Sequence, residues 1–231
     1  EVVEDELKAI AEITRFSVAG SYRRTEEESS DVDFILVTSE PAIVREKLLA
    51  SLPLLGTIAA GDAKLSVTLA LEDPIDADFR FVKEEQFATA IHHFTGSKDH
   101  NVRLRQLAKS KGLKISEYGV EDEAGSMTTF ESEEQFFNHF GLPFIPPTLR
   151  QNGQELDRVD ELPGLIELED IRSDLHMHTT GSDGAYSIRE MVEGARAKGY
   201  SHIVITDHSQ YLRVANGLTP ERLREQIAEI R

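Results

Sequence analysis

The chain has 231 residues, of which 39% are hydrophobic and 29% charged, a composition typical of a globular protein. Its formal net charge of −17 argues against nucleic acid being bound by the whole surface. There is no cysteine, which excludes disulfides and thiolate metal sites and suits a reducing compartment. No apolar run approaches the roughly 18 residues of a membrane helix, and no signal peptide is visible. We therefore expect a cytoplasmic protein with no membrane partner.

The predicted elements of the first half alternate between helices and strands. In chain order they are a helix end at 1–12, strands at 16–19 and 32–37, a helix at 41–50, strands at 63–71 and 75–82, and helices at 84–93 and 98–111. Gly20 and Ser21 break the first strand. Strict alternation in 63–71 predicts a strand with one buried face.

Positive charge is concentrated in one segment. Residues 98–114 contain six Lys or Arg and one acid, a balance of 6 − 1 = +5. An acidic protein can still bind a phosphate backbone through one such helix. Charge alone favours the simpler interpretation, a solvated amphipathic helix.

Residues 119–172 are rich in Gly, Pro and acids, with one short helix at 132–140, and we interpret 151–172 as a linker. Strand, helix, strand and helix then follow at 174–178, 188–198, 202–206 and from 219. This alternation predicts a parallel α/β unit. With about 60 residues the unit is too short for a closed barrel, so we expect it to be incomplete.

Two aspartates open the strand at 32–37. Asp31 and Asp33 are two residues apart, so their carboxylates project to the same face, and a divalent cation such as Mg²⁺ or Mn²⁺ would relieve their repulsion. Asp78, on another strand, can supply a third carboxylate for two metals about 4 Å apart. Ser21, Arg24 and Ser29 offer donors for a triphosphate. The alternative is an acidic turn, which the spacing of the two aspartates alone favours. The Gly-Ser pair ten residues ahead and the paired arginines between leave the two interpretations about even.

Histidines mark the second strand–helix unit. His176 and His178 share one face of a strand, Asp183 follows in the loop, and His208 comes after the next strand. The carboxyl ends of parallel strands meet, so these side chains can converge on Zn²⁺ or Mn²⁺. A lone His-x-His pair is more often structural, but the full spacing favours a metal site. Asp207 is expected to orient His208, while His92 and His139 are expected to be structural.

The chain as a whole resembles the bacterial family X DNA polymerases that carry a C-terminal polymerase-and-histidinol-phosphatase (PHP) domain. The segments that carry the resemblance follow the family order: AGSYRR…SSDVDFILVT (19–38), AGDAKLSV (60–67), DADFRFV (76–82), HHFTGSKDHNVRLRQLA (92–108), ISEYGV (115–120), FGLPFIPP (140–147) and DLHMHTTGSDGAYSIREM (174–191).

The resemblance implies an α+β nucleotidyltransferase palm with a mixed or antiparallel sheet, a small α/β thumb, and the first strands and helices of a PHP α/β barrel. We place the palm at 1–95, the thumb at 96–150 and the truncated PHP part at 173–231. It further implies a monomeric DNA polymerase that fills gaps in base excision repair and uses dNTPs and gapped or primer–template DNA. A PHP 3′–5′ exonuclease accompanies it in the family.

The resemblance also implies roles for individual residues. Asp31, Asp33 and Asp78 would be the catalytic metal ligands, with Asp78 binding only the metal that activates the primer 3′-hydroxyl. The dNTP would be bound by Gly20, Ser21, Arg24, Ser29, Ser30, His93, Phe94, Thr95, Gly96 and Asn101. DNA would be contacted by Lys98 and Arg105. The PHP ligands would be His176, His178, Asp183 and His208.

Several features depart from the family pattern. Thr25 stands where a small residue is frequent, Glu26–Glu28 lie beside the triphosphate path, and His93 stands where tyrosine is common. No helix-hairpin-helix segment is visible, and the remaining PHP ligands would lie beyond residue 231, so we expect no nuclease activity from this chain alone. Two other functions remain open: a PHP phosphoesterase with a weak or vestigial palm, and a non-catalytic DNA-binding module.

Overall fold

In the computed structural model, residues 2–231 are described and divide into two compact units, one ending at Leu162 and the other beginning at Pro163.

The first unit is built on a five-stranded sheet. Its strands are β1 (Arg15–Val18), β2 (Asp31–Val37), β3 (Leu54–Ala60), β4 (Lys64–Leu69) and β5 (Ile75–Val82). They lie in the order β1-β2-β5-β4-β3. The central pair β2 and β5 is parallel, and the other neighbours are antiparallel. The sheet is therefore mixed, as the predicted fold class requires.

Helices cover both faces of this sheet. They are α1 (Val2–Ala9), α2 (Gly20–Arg23), α3 (Pro41–Ser51) and α4 (Phe87–Thr95). On one face, Leu7 of α1 and Leu48 of α3 pack against Phe34, Val67 and Phe79 of the strands. On the other face, α4 packs against the C-terminal halves of β2 and β5. The N-terminal halves of these strands carry polar side chains on that second face.

A smaller helical layer completes the unit. It comprises α5 (Lys98–Ser110), β6 (Lys114–Ser116), β7 (Gly119–Glu121), β8 (Met127–Thr128) and α6 (Glu133–His139). The three strands form an antiparallel sheet. Phe136, Phe137 and Phe140 are buried in its core. Leu156 belongs to the same core, so part of the segment assigned to the linker packs against this layer.

The second unit contains β9 (Ser173–Met177), α7 (Ile188–Ala197), β10 (His202–Ile205) and α8 (Pro220–Ile230). The strands pair in parallel, which confirms the predicted strand–helix alternation. Ser187 caps α7 by accepting a hydrogen bond from Glu190 N, while the Glu190 carboxylate accepts one from Ser187 N.

Some local elements were not predicted. The first strand ends before Gly20 and Ser21, as expected, but these residues also open the short helix α2, and β3 and the small antiparallel sheet were missed. These strands are short or carry small residues, so their pattern is weak. Ser66 on the polar face of β4 is buried as well, so burial is not confined to one face of that strand.

Within residues 2–231, no helix is both long and apolar enough to cross a lipid bilayer. The limits between palm, thumb and linker stay predictions.

Candidate active site and metal centres

A row of four carboxylates crosses the centre of the sheet. Because β2 and β5 are parallel and in register, Asp31 is paired with Asp76 and Asp33 with Asp78. Paired residues and residues two apart along a strand share one face. The sheet therefore places all three proposed palm ligands on the face opposite the Phe34–Phe79 core.

Electrostatic strain is greatest at Asp33. Burial, together with the negative charges of Asp31 and Asp78, raises the pKa of Asp33 to about 6. Arg80 and Lys64 oppose this effect without cancelling it. A bound cation would stabilise the ionised carboxylate against both burial and the repulsion of its neighbours, so the cluster has the electrostatics of a cation site.

Asp78 already has a positive neighbour that sequence reasoning missed. Lys64 Nζ lies 2.5 Å from Asp78 Oδ2, and Arg80 Nη2 lies 3.8 Å from the same oxygen. Burial opposes ionisation of Asp78, but Lys64, Ser66 and Arg80 together outweigh it and lower the pKa of Asp78. Only the antiparallel register of β4 and β5 brings Lys64 to this face, and sequence alone does not give that register.

Gly20 lies directly against the carboxylate of Asp33. Its φ of +65° favours glycine, and a β-carbon built on it would be 2.5 Å from Asp33 Oδ2. Ser21 and Ser29, both proposed to contact a triphosphate, are joined by a hydrogen bond of 2.9 Å between their hydroxyl oxygens. The structure thus brings the Gly-Ser turn and the aspartates together, while Ser30 is exposed beside them.

Arg23, the last residue of α2, and Arg24, directly after it, both form hydrogen bonds with Thr95 at the end of α4. Arg24 Nη1 donates to Thr95 O at 2.5 Å, and its Nε lies 3.3 Å from Glu26 Oε1. Arg23 donates to Thr95 Oγ1 at 2.9 Å and to Glu133 Oε2 at 2.6 Å. Only Arg24 was predicted to be functional. The exposed Glu26 competes with any phosphate for it, because both would accept from the same guanidinium.

The segment proposed to meet the sugar and base lies at the junction of α4 and α5. The Gly96–Ser97 peptide bond between these helices is cis. Asn101 Nδ2 donates to His93 O at 2.7 Å, and Arg105 Nη2 lies 3.3 Å from His93 Nδ1. Phe94 stacks under the Arg80 guanidinium at 4.5 Å. His93, Asn101 and Arg105 therefore form one contiguous group.

The basic segment divides into paired and exposed charges. Arg103 is ion-paired with Asp157, Lys114 lies near Glu121, and Lys111 donates to Phe140 O. Lys98 and Lys109 are exposed on α5. Fewer positive side chains of this segment are therefore available to bind a ligand than its composition suggests.

His92 is buried and structural, as predicted. Its Nε2 lies 3.1 Å from His100 Nε2, and His100 Nδ1 lies 2.7 Å from Glu155 Oε1. Burial lowers the pKa of His92 well below its ordinary value. Glu155 keeps the proton on His100 Nδ1, so His92 Nε2 is the donor of the pair. His139 is exposed against Phe130 and Phe140.

In the second unit, loops following β9 and β10 bring three metal-ligating side chains together. His178, Asp183 and His208 each offer a ligand atom, and these atoms lie within 4.8 Å of one another. His178 Nδ1 is 2.9 Å from Asp183 Oδ1. The hydrogen bond between them is the main cause that lowers the pKa of Asp183. His176 joins the group through His178, with 3.2 Å between their Nε2 atoms. Among residues 2–231, no other group of three or more His, Asp or Glu side chains is this compact. The ligand atoms of the palm aspartates are therefore farther apart.

Asp207 has a different partner set from the one predicted. It accepts hydrogen bonds from Thr179 N and Oγ1, Ser182 Oγ and Gln226 Nε2, with distances of 2.5–2.7 Å. It thereby fixes the loop that carries Asp183. The polar residues of this loop gave no signal in the sequence beyond ordinary turn composition.

The donor sets of both centres fit divalent cations. The palm offers three carboxylates, a hard-oxygen set preferred by Mg²⁺ and Mn²⁺. The second unit offers imidazoles with a carboxylate, a set that suits transition metals.

Three family models match the chain in order. The DNA polymerase beta palm matches residues 1–73, the DNA polymerase beta thumb residues 90–151 and the PHP domain residues 174–228. The palm match includes Asp31 and Asp33 and ends before Asp78. Across 229 residues the chain is 55% identical to "DNA polymerase/3'-5' exonuclease PolX" of Bacillus subtilis (strain 168), an alignment that covers 99% of the chain.

The chain belongs to the family X DNA polymerases with a PHP domain. Over 84 residues it is also 34% identical to "DNA polymerase lambda" of Rattus norvegicus, which covers 32% of the chain and 15% of that protein. The chain spans 40% of the length of the Bacillus relative. Both the polymerase and the PHP families use divalent metals, which agrees with the two donor sets.

Proposed function

We propose that this chain carries the nucleotidyl-transfer centre of a template-directed DNA polymerase that fills gaps during repair, joined to part of a PHP phosphoesterase. The observation that carries the proposal is the in-register pairing of Asp33 with Asp78, which places the carboxylates of two strands side by side. The raised pKa of Asp33 supports a cation-binding role for the same cluster. The name of the Bacillus relative supports both activities.

Asp31, Asp33 and Asp78 would hold two Mg²⁺ or Mn²⁺ ions. These ions, when bound, would activate the primer 3′-hydroxyl and stabilise the charge on the leaving pyrophosphate. The chain's own part is to hold three oxygen ligands on rigid neighbouring strands. Lys64 would have to leave Asp78 Oδ2, or share it, when a cation binds there.

The incoming dNTP would lie between the α2 turn and the α4–α5 junction. We assign the triphosphate to Gly20, Ser21, Arg24, Ser29 and Ser30. The sugar and base are assigned to His93, Phe94, Thr95, Gly96 and Asn101. Arg24 links the two sides, because its guanidinium donates to Thr95 O. A triphosphate carries more charge than Glu26 and would displace it from Arg24.

DNA would be contacted along α5. Arg105, on the same face as Asn101 four residues earlier, would meet the template strand. Lys98 is exposed at the start of the helix and would contact the backbone. The many acids elsewhere would keep binding local and strongly dependent on salt.

The second unit would contribute His176, His178, Asp183 and His208 to a Zn²⁺ or Mn²⁺ site. Its chemistry would be hydrolysis of a phosphoester, in line with the 3′–5′ exonuclease in the name of the Bacillus relative. We further propose a cytoplasmic monomer, with palm, thumb, linker and PHP parts at 1–95, 96–150, 151–172 and 173–231.

Primer extension on single-nucleotide gapped DNA, in Mg²⁺ and in Mn²⁺, tests the polymerase assignment. Asp78→Asn should abolish extension. Asp76→Asn is a matched control on the same strand and face, since Asp76 is exposed and bonded to Thr68. Equal activity of the two variants would contradict the metal assignment. DNA binding that is independent of divalent metal, without extension by the wild type, would instead support a non-catalytic binding module.

A further inference from the structure

His93 lies at the centre of the group proposed to meet the nascent base pair. Its backbone oxygen accepts a hydrogen bond from Asn101 Nδ2 at 2.7 Å. Its ring nitrogen Nδ1 lies 3.3 Å from Arg105 Nη2. One residue at the end of α4 therefore holds two side chains that lie four positions apart on α5.

The contact with Arg105 fixes the protonation of the imidazole. A guanidinium has only donors, so Nδ1 must accept, and the ring proton must lie on Nε2. A protonated His93 would have N–H groups at both positions and would place a second positive charge beside Arg105. The contact therefore requires the neutral ring.

The surroundings of His93 favour that neutral form. Charged groups face it from three elements: Arg105 on α5, Arg80 on β5, and Glu117 in the turn between β6 and β7. The Phe94 ring packs against it with a centroid distance of 4.8 Å. Burial and the two arginines lower the pKa of His93, and Glu117 only partly opposes them.

We propose that His93 is a positioning residue that orients Arg105 against the template and so sets the selectivity for the correct nucleotide. This inference rests on the proposed polymerase function. Asn101 is held by the backbone of His93, so its orientation does not depend on the ring, whereas that of Arg105 does. The neutral imidazole would act as a fixed acceptor at neutral pH and release Arg105 when it is protonated.

Two substitutions separate this role from simple packing. His93→Asn places a carbonyl oxygen close to the position of Nδ1 and retains an acceptor that does not titrate. His93→Phe keeps a ring of similar size and removes the acceptor. The readout is the ratio of kcat/KM for the correct nucleotide to that for an incorrect one, on gapped DNA from pH 8 down to about pH 5, because protonation of a ring with a lowered pKa requires acidic pH.

At pH 8 we expect His93→Phe to lose about 10-fold in this ratio, the size of one charge-assisted hydrogen bond, while His93→Asn stays within about 3-fold of the wild type. As the pH falls through the lowered pKa of His93, the wild type should approach His93→Phe, and His93→Asn should not change. Extension by the wild type with equal selectivity in all three proteins would overturn this inference alone. Absence of extension by the wild type would overturn the proposed function and, with it, the selectivity role.

Nuclear magnetic resonance of the imidazole nitrogens tests the contact independently of activity. In the wild type, the His93 proton should be on Nε2. Arg105→Leu should raise the pKa of His93, because a neighbouring positive charge is removed. Lys109→Leu, an exposed cation one turn later on α5, is the matched control. A proton on Nδ1, or an unchanged pKa in Arg105→Leu, would overturn the contact.

Discussion

The α-carbon of Gly20 faces the carboxylate of Asp33 so closely that a β-carbon would lie 2.5 Å from Asp33 Oδ2. Gly20, at the start of α2, and Asp33, in β2, therefore pack closely against one another. This contact explains why a glycine stands eleven residues before Asp31, since only glycine combines the positive φ with the missing side chain.

Gly20→Ala should therefore damage both stability and activity. The left-handed backbone and the clash with Asp33 together should cost about 1–3 kcal/mol in the free energy of unfolding. Displacement of Asp33 should reduce primer extension by about 10-fold or more. Gly56→Ala is the control, because nothing lies within 4 Å of a β-carbon there. Urea unfolding and gap filling measure the two effects, and a Gly20→Ala protein equal to Gly56→Ala would contradict the fit.

Asp33 should make stability depend on pH when divalent metal is removed. Its pKa of about 6 in the folded protein lies above the ordinary value of 3.8, so folding retains a proton that the unfolded chain loses. This contribution to stability is complete below pH 4 and is lost as the pH rises through about 6. Asp33→Asn should remove this dependence and, at pH 8 in EDTA, stabilise the protein by about 1–2 kcal/mol after allowance for solvent screening. Thermal or urea unfolding measures it, and Asp76→Asn should show no such gain.

The aspartates of the palm site could be predicted from the sequence, whereas the contacts that depend on strand pairing and long-range packing could not. Period-two alternation places Asp31 with Asp33, and the family segments add Asp78. The pairing of strands is not a local property, so Lys64 could not be assigned to the same cluster. For the same reason the bonds from Arg23 to Glu133, 110 residues away, and from His100 to Glu155 were not predicted.

In the second unit, the sequence predicted which metal-ligating side chains come together but not the partners of Asp207. The spacing of His178, Asp183 and His208 predicted convergence, and the structure places their ligand atoms together. The partner of Asp207 was predicted to be His208, its neighbour in sequence, but it holds Thr179, Ser182 and Gln226 instead. Adjacent residues in an extended segment point to opposite sides, which is why sequence proximity misled here.

Lys64 should weaken metal binding in the palm. Its ammonium neutralises Asp78 and occupies an oxygen that a cation would use. Lys64→Met should therefore raise the affinity for Mn²⁺ by several-fold, as expected from removing a positive charge close to the ligands. Calorimetric titration with Mn²⁺ checks this, with Asp183→Asn present so that the second centre contributes little. Lys47→Met, which breaks an ion pair with Glu12 away from the site, should leave the affinity unchanged.

Asp183 should be essential for the metal centre of the second unit. It contacts both His178 and His208, so its loss removes one proposed ligand and the orientation of two others. Asp183→Asn should lower the affinity for Mn²⁺ or Zn²⁺ by about 10- to 100-fold. Titration in an Asp31→Asn, Asp33→Asn background isolates this centre. His202→Gln, an exposed histidine on β10, is the control, and an equal loss in both variants would contradict the assignment.

The buried His92–His100–Glu155 chain should limit stability in acid. The pKa of His92 in the folded protein lies well below its ordinary value of 6.5, so the unfolded chain takes up a proton first as the pH falls. The contribution of His92 is therefore present above about pH 6.5 and is lost below it. Replacing His92 by leucine, which can still pack against Phe136, should reduce the slope of unfolding free energy against pH by about 1 kcal/mol per pH unit between pH 5.5 and 6.5.

Urea unfolding across this range measures that slope, and the slope is the relevant quantity because His92→Leu also removes the hydrogen bond to His100 at every pH. His139→Gln, at an exposed histidine on α6, should keep the wild-type slope. A His92→Leu protein with the wild-type slope would show that His92 titrates alike in the folded and unfolded chains. His92 packs against Phe136 with 4.4 Å between ring centroids and is only 1% exposed, so an imidazolium there would be desolvated. This position argues for different titration in the folded and unfolded chains.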